Sequence, residues 1–188
     1  MKHMKNNLFI VSGPSGAGED SIIEGIKMVM PIERVITTTT REMRPGESIA
    51  NPYYFISKNE FVEGVENDNF VEFAKEYNNN YYGATKDEIE RVKKCDKIGI
   101  WKIEYKGVIT AKKLFPNIKA ILINAPLRTL ARRIRMRDDA SDEFVKERMR
   151  YTEEWLKHTH VYDYIINNTD GNLDKSIKKL QKIIEENK

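Results

Sequence analysis

Cysteine is nearly absent from this chain: Cys95 stands alone among 188 residues. A single thiol excludes an internal disulfide and fits a reducing, cytoplasmic setting. Histidine is almost as scarce. His3 sits near the start, and His158 and His160 are two apart, a spacing that does not put both on one helix face. Neither triad nor metal-ligand spacing is present, so no protein metal site is expected. No apolar run approaches the roughly 20 residues of a membrane span. The basic start Met1–Lys5, followed by Leu8–Val11, is too short for a signal peptide, and the protein is expected to stay where it is made. An excess of one charge is lacking too. The 32 basic and 29 acidic residues leave a net charge of +3, too small to imply nucleic acid or a membrane as partner. Repeats and low-complexity linkers are also missing.

What remains is the composition of a soluble globular domain, 40% hydrophobic and 32% charged, long enough to bury a proper core. Leu8–Ser12 reads as a buried parallel strand ended by glycine, followed by a helix from Asp20 or Ser21 that ends before Pro31, with Ile22, Ile23, Ile26, Val29 and Met30 on its apolar face. Arg34–Thr38 reads as a second strand, and a polar loop with Pro45, Gly46 and Pro52 follows. Tyr53–Ile56, Phe70–Tyr77 and Tyr81–Tyr82 read as further strands, the last two joined through Asn78-Asn79-Asn80. Ser57 and Glu60 form a capping box for a helix over Lys58–Glu66. Alternation then resumes with a helix capped by Thr85, strands at Lys97–Ile103, Lys119–Asn124 and Tyr164–Asn167, and helices between and after them. The pattern predicts an α/β fold, a parallel sheet covered by helices on both faces, with an inserted β-rich lobe.

Three stretches carry candidate chemistry. Gly13-Pro14-Ser15-Gly16-Ala17-Gly18 lies between the first strand and helix, with the glycine spacing of a phosphate-binding loop, G-x-x-x-x-G-K-[ST]. Glu19 stands where that pattern has lysine, and Asp20 where it has the hydroxyl that contacts Mg²⁺. In Thr37-Thr38-Thr39-Thr40-Arg41-Glu42-Met43-Arg44-Pro45-Gly46-Glu47, two arginines three apart can converge on one phosphate through forked donors, although a bare R-x-x-R is common as surface charge. Tyr53, Glu72, Tyr81 and Tyr82 share that region. Tyrosine hydroxyls can donate to a phosphate, and a carboxylate can accept from the N1–H and N2–H₂ edge of guanine; the plainer reading makes the aromatics a small core. Arg132, Arg133, Arg135 and Arg137, with Arg148 beyond a polar break at 138–141, suit a lid over a transferring phosphoryl group or a solvated helix face.

Taken in order, these stretches resemble guanylate kinase. The likeness extends through Tyr81-Tyr82-Gly83, Lys102-Ile103-Glu104-Tyr105-Lys106-Gly107 and Tyr162–Asn167, covering about residues 6–185. The resemblance implies phosphoryl transfer from ATP to GMP with Mg²⁺, within the fold of a P-loop nucleoside monophosphate kinase. It divides one domain into a core at about 6–33 and 84–188, a GMP-binding lobe at about 34–83 and a lid at about 134–148. By the same resemblance Arg41 and Arg44 would hold the GMP phosphate with Tyr53 and Tyr82. Glu72 would read guanine, and Thr37 and Glu104 would belong to the GMP side. Gly13–Gly18 and Ser21 would wrap the ATP phosphates. Arg133, Arg137 and Arg148 would be lid arginines, and Asn167 would lie near adenine. The chain departs from the family at Glu19, Asp20, Ala84 and Lys102, the last standing where the family has an acidic residue. Lys102 is the candidate replacement cation, expected within about 4 Å of Glu19. Two readings follow: a slow kinase that binds MgATP weakly, or a module that keeps GMP or a protein ligand without catalysis.

Overall fold

A computed structural model describes residues 7–75, 79–138 and 140–188, apart from the side chains of 137 and 138. Five parallel strands form the main sheet: β1 (Leu8–Ser12), β2 (Ile32–Arg34), β8 (Ile98–Lys102), β9 (Lys119–Asn124) and β10 (Tyr164–Asn167), in the order β10-β9-β1-β8-β2. The period-two alternation of side chains sends β1 into two cores at once. Leu8 and Ile10 meet Trp101, Leu122 and Trp155 on one face, while Phe9 and Val11 meet Ile100, Ile121 and Ile123 on the other. Helix α1 (Glu19–Lys27) closes the second face with Ile22, Ile23 and Ile26, beside α7 (Leu173–Asn187) with Leu180 and Ile184. The first face is covered by α4 (Tyr105–Leu114) and by α6 (Asp142–Leu156), which contributes Trp155. Among the described residues no helix is long and apolar enough to cross a membrane.

A second sheet holds β4 (Ser48–Ile49), β5 (Pro52–Phe55), β3 (Thr37–Thr39), β7 (Tyr81–Thr85) and β6 (Phe70–Lys75), mixed in direction and ordered β4-β5-β3-β7-β6. Helix α2 (Lys58–Glu66) packs Phe61 against Phe70 and Tyr81. Its capping box forms as expected, with Glu60 N–H donating to Ser57 Oγ at 3.2 Å and Ser57 N–H to Glu60 Oε2 at 2.8 Å. Helix α3 (Lys86–Lys94) then returns the chain to the main sheet, with Thr85 Oγ1 accepting from Glu88 N–H.

Three expectations need correction. The first helix, expected to run to Pro31 with Val29 and Met30 on its apolar face, ends at Lys27, and Val29 is exposed in the turn that follows. The single strand expected over Arg34–Thr38 is two strands in different sheets, broken at Val35-Ile36. The β-branched run Val35-Ile36-Thr37-Thr38 crosses the break without interruption, so periodicity carries no mark of the change of sheet. Strand β4 lies inside the stretch expected to be loop, tied by Ser48 N–H to Asn51 O at 2.9 Å. The Tyr77 end of one expected strand and the start Met1–Lys5 lie outside the described residues, as do Asp139 of the polar break and the Arg137 side chain.

Candidate active site

The glycine loop leaves the C-terminal end of β1 and turns at Ala17 N–H to Pro14 O, 3.0 Å. Gly18 caps α1 in the left-handed region at φ +90°, where a Cβ would also fall 2.5 Å from Asn168 Nδ2. Only glycine fits there. Other elements reach over to hold the loop. Asn168, buried just after β10, donates Nδ2–H to Ala17 O at 2.8 Å and accepts from Ser176 Oγ at 3.2 Å. Arg133 of α5 (Leu127–Asp138) donates to Gly16 O at 3.0 Å, Asn168 O at 3.0 Å and Asp170 Oδ1 at 3.0 Å. Arg148 of α6 donates to Ser15 Oγ at 2.7 Å. Ser21 is exposed in the first turn of α1. Gly18, Ser21, Arg133, Asn168 and Asp170 line a cavity of about 230 Å³ beside the loop. Asn167, expected near adenine, is exposed at the end of β10, whereas Asn168 is the asparagine that touches the loop.

The charges at the loop mouth are set by sheet register. Val11 of β1 pairs with Lys102 of β8, so the lysine emerges beside the start of α1. Lys102 Nζ lies 2.5 Å from Asp20 Oδ2 and 3.9 Å from Glu19 Oε1. The expected approach to Glu19 is therefore present at its outer limit, and Asp20 is the tighter partner. Arg34 Nη2 adds a bond to Asp20 Oδ1 at 3.1 Å. Desolvation pulls Lys102 toward its neutral form, but Glu19 and Asp20 outweigh it and raise the pKa. Desolvation likewise opposes charge on Asp20, and Lys102 and Arg34 outweigh it and hold that carboxyl below its ordinary range. Both carboxylates also sit at the positive end of α1, which favours anions. They compete there with any phosphate.

The other named groups gather on the second sheet. Arg41 Nη2 donates to both oxygens of Glu47 at 2.8 and 2.9 Å, and its guanidinium lies 5.4 Å from the Tyr53 and Phe55 ring centres. Arg44 N–H donates to the same Glu47 at 2.8 Å, while the Arg44 side chain is exposed. Thr37 pairs with Tyr53 across the strands, and Tyr53 and Tyr82 meet edge to face at 5.9 Å. Burial raises the Tyr53 pKa. Glu72 of β6 is buried at 8% exposure. Gly107 of α4 makes room for it, since a Cβ there would lie 2.9 Å from Glu72 Oε2. Glu104, which precedes α4, accepts a hydrogen bond from the Tyr151 hydroxyl.

Sequence reasoning missed Asn168, Tyr151 and Glu88. The buried Glu88 accepts from Ile36 N–H at 2.7 Å and pairs with Arg91, pinning the crossover between the sheets. The doubled Asn167-Asn168 after an apolar strand was the available signal for the first; nothing local marks the other two.

A parallel sheet with a glycine loop at its C-terminal edge, faced by a second sheet bearing arginine, tyrosine and carboxylate, defines a P-loop nucleoside monophosphate kinase fold. The family model for guanylate kinase matches residues 5–187. The chain is 39% identical to guanylate kinase of Buchnera aphidicola over 94% of this chain and 86% of that relative. It is 37% identical to guanylate kinase of Haemophilus influenzae over 96% of this chain and 88% of that relative. A crystal structure of guanylate kinase from Anaplasma phagocytophilum superposes with a TM-score of 0.74 at 22% identity, over 97% of this chain and 87% of that one. The chain belongs to the guanylate kinase family of nucleoside monophosphate kinases.

Proposed function

We propose that this protein transfers the γ-phosphoryl group of ATP to the phosphate of GMP, slowly, through a donor site whose cation comes from Lys102. One observation carries the reading: Arg41, Tyr53, Tyr82 and Glu72 gather on the second sheet while Lys102 reaches the loop mouth from the first. In this reading residues 34–83 form the acceptor lobe on a core of about 6–33 and 84–188. Arg41, braced by Glu47, and Arg44 bind the GMP phosphate with the tyrosine hydroxyls, and Thr37 lies beside them. Glu72 and Glu104 accept from the guanine N1–H and N2–H₂ edge. A GMP phosphate oxygen attacks the γ-phosphorus, the bond to ADP breaks, and the charge on the transferring oxygens is met by cations. Those cations are Lys102 and, from a lid at about 134–148 and its approaches, Arg133, Arg137 and Arg148.

Family members use ATP as its Mg²⁺ complex. The residues of this chain do not fit a protein-held ion. Asp20, where the loop pattern has the metal's hydroxyl, already binds Lys102 and Arg34. Among the described residues no group of three histidine, cysteine, aspartate or glutamate side chains could hold a metal. Mg²⁺ would arrive with the ATP phosphates, and ATP binding is expected to be weak and little changed by the ion.

A second reading, a module that binds GMP or a protein ligand without catalysis, draws on the same loop mouth. Two carboxylates and two cations there cancel. A coupled assay of ADP release with ATP, Mg²⁺ and GMP separates the two. The kinase reading expects GMP-dependent release above the ATP-only background. Calorimetric GMP binding with no such release would select the module.

A further inference from the structure

Helix α6 carries Arg148, Tyr151, Thr152 and Trp155, spaced three and four apart and so on one face. That face spans two places. Arg148 reaches Ser15 of the glycine loop at 2.7 Å, and one turn later the Tyr151 hydroxyl donates to Glu104 Oε2. The Tyr151 ring is wedged between aromatic neighbours, 6.2 Å from the Tyr105 ring and 6.1 Å from that of Trp155. Trp155 is itself fixed, buried at 3% exposure and donating Nε1–H to Tyr162 Oη at 2.9 Å. Tyr162 Oη in turn meets Ser12 Oγ at 2.9 Å, and Ser12 Oγ–H donates to Ile103 O, the residue before Glu104, at 2.6 Å. Backbone and side chain of Glu104 are thus held from the same helix. Glu104 is the N-cap residue of α4, but its side chain makes no capping hydrogen bond, so that helix does not orient its carboxylate.

We propose that Tyr151 is a positioning residue for the acceptor-side carboxylate Glu104. The inference rests on the reading of Glu104 as part of the GMP site. A glutamate side chain has several rotamers, and fixing one of them before the nucleotide arrives removes an ordering cost from binding. The phenol engages Oε2 and leaves Oε1 to accept from a guanine N–H. Because the hydroxyl comes from the helix that also carries Arg148, the acceptor carboxylate and the glycine loop are held by one rigid element.

The test uses Tyr151→Phe, which keeps the ring packed on Tyr105 and Trp155 and removes only the hydroxyl. Calorimetry is expected to give GMP affinity weaker by about tenfold, the scale of one hydrogen bond to a charged group. ATP affinity should stay unchanged. In a Glu104→Ala background the same substitution should have no further effect on GMP, because its route has been removed. GMP affinity that is unchanged or tighter in Tyr151→Phe, with Glu104→Ala weakening it, would overturn the positioning role while leaving Glu104 in the site. Additive losses in the double variant would also overturn it, since Tyr151 would then act by another route. An unaffected Glu104→Ala protein would instead overturn the reading of Glu104 on which the inference stands.

Discussion

Neutralising Asp20 and neutralising Lys102 should move ATP affinity in opposite directions. Both charges sit at the mouth of the glycine loop, 2.5 Å from each other. A unit charge about 5 Å from a phosphate is worth about 0.8 kcal/mol in bulk water and about 3 kcal/mol at an effective dielectric near 20. The Asp20 side chain is 58% exposed, which places it near the lower value. Asp20→Asn should therefore tighten ATP by about 1 kcal/mol, roughly fivefold. Lys102 is 29% exposed and nearer the upper value. Lys102→Gln should weaken ATP by about 2 kcal/mol, roughly thirtyfold. Calorimetric titration at about 50 mM and about 500 mM salt checks the origin, because both shifts should shrink as the Debye length falls. Shifts of the same sign, or a Lys102→Gln protein that binds ATP like the parent, would refute the reasoning. The Asp20 carboxyl also gives a pH signature. Its folded pKa is lowered, so its stabilisation is present above the unfolded value near ~3.9 and is lost as pH falls through the lowered one. The melting difference between parent and Asp20→Asn should be constant above about pH 5 and vanish on the acid side.

The paired change Glu19→Lys with Asp20→Ser restores the loop pattern and should raise both ATP affinity and the rate of GMP-dependent ADP release; unchanged values would place the defect elsewhere. GMP should bind more tightly than AMP, because Glu72 would face an acceptor at adenine N1. Glu72→Gln should narrow that gap by about tenfold in competition titrations. Asn168→Ala removes the donor to Ala17 O and the acceptor for Ser176, and should lower stability by about 1–3 kcal/mol in urea unfolding. Tyr162, whose pKa burial pushes up to about 12, should stay neutral through the working range. Tyr162→Phe should accordingly cost stability by a similar amount at every pH from about 6 to 9, because Ser12 and Trp155 both lose a buried partner.

Elements with strong local signals were legible in the sequence. The capping box at Ser57 and Glu60, the cap at Thr85 and the apolar run at Lys119–Asn124 appear at the expected bounds. The strand β10 does as well. The change of sheet at Val35-Ile36 was not legible, because the β-branched run Val35-Ile36-Thr37-Thr38 crosses it and both sheets take extended chain. At the loop mouth the types of charge were legible, and so was the approach of Lys102 to Glu19. The preference for Asp20 was not, since it depends on how the first turn of α1 is rotated against β8. Asn168 and Tyr151 were out of reach for a related reason: each acts on a residue far along the chain, Ala17 and Glu104, that only the packing brings near.

The pairing of Val11 with Lys102 has a consequence for how such sites are recognised. Residues 19 and 20 stand far from residue 102 in the linear text, yet the start of α1 and the end of β8 bring their side chains together, so a cation can migrate from one address to the other with little change in where its charge stands. A pattern scored along the chain registers that migration as two unrelated losses. Scored across the β1–β8 ladder, it is one exchange of partners. A protein with this strand order and register offers the same pair of addresses, and the residue opposite the penultimate strand position before the glycine turn is the place to look when the loop lysine is missing.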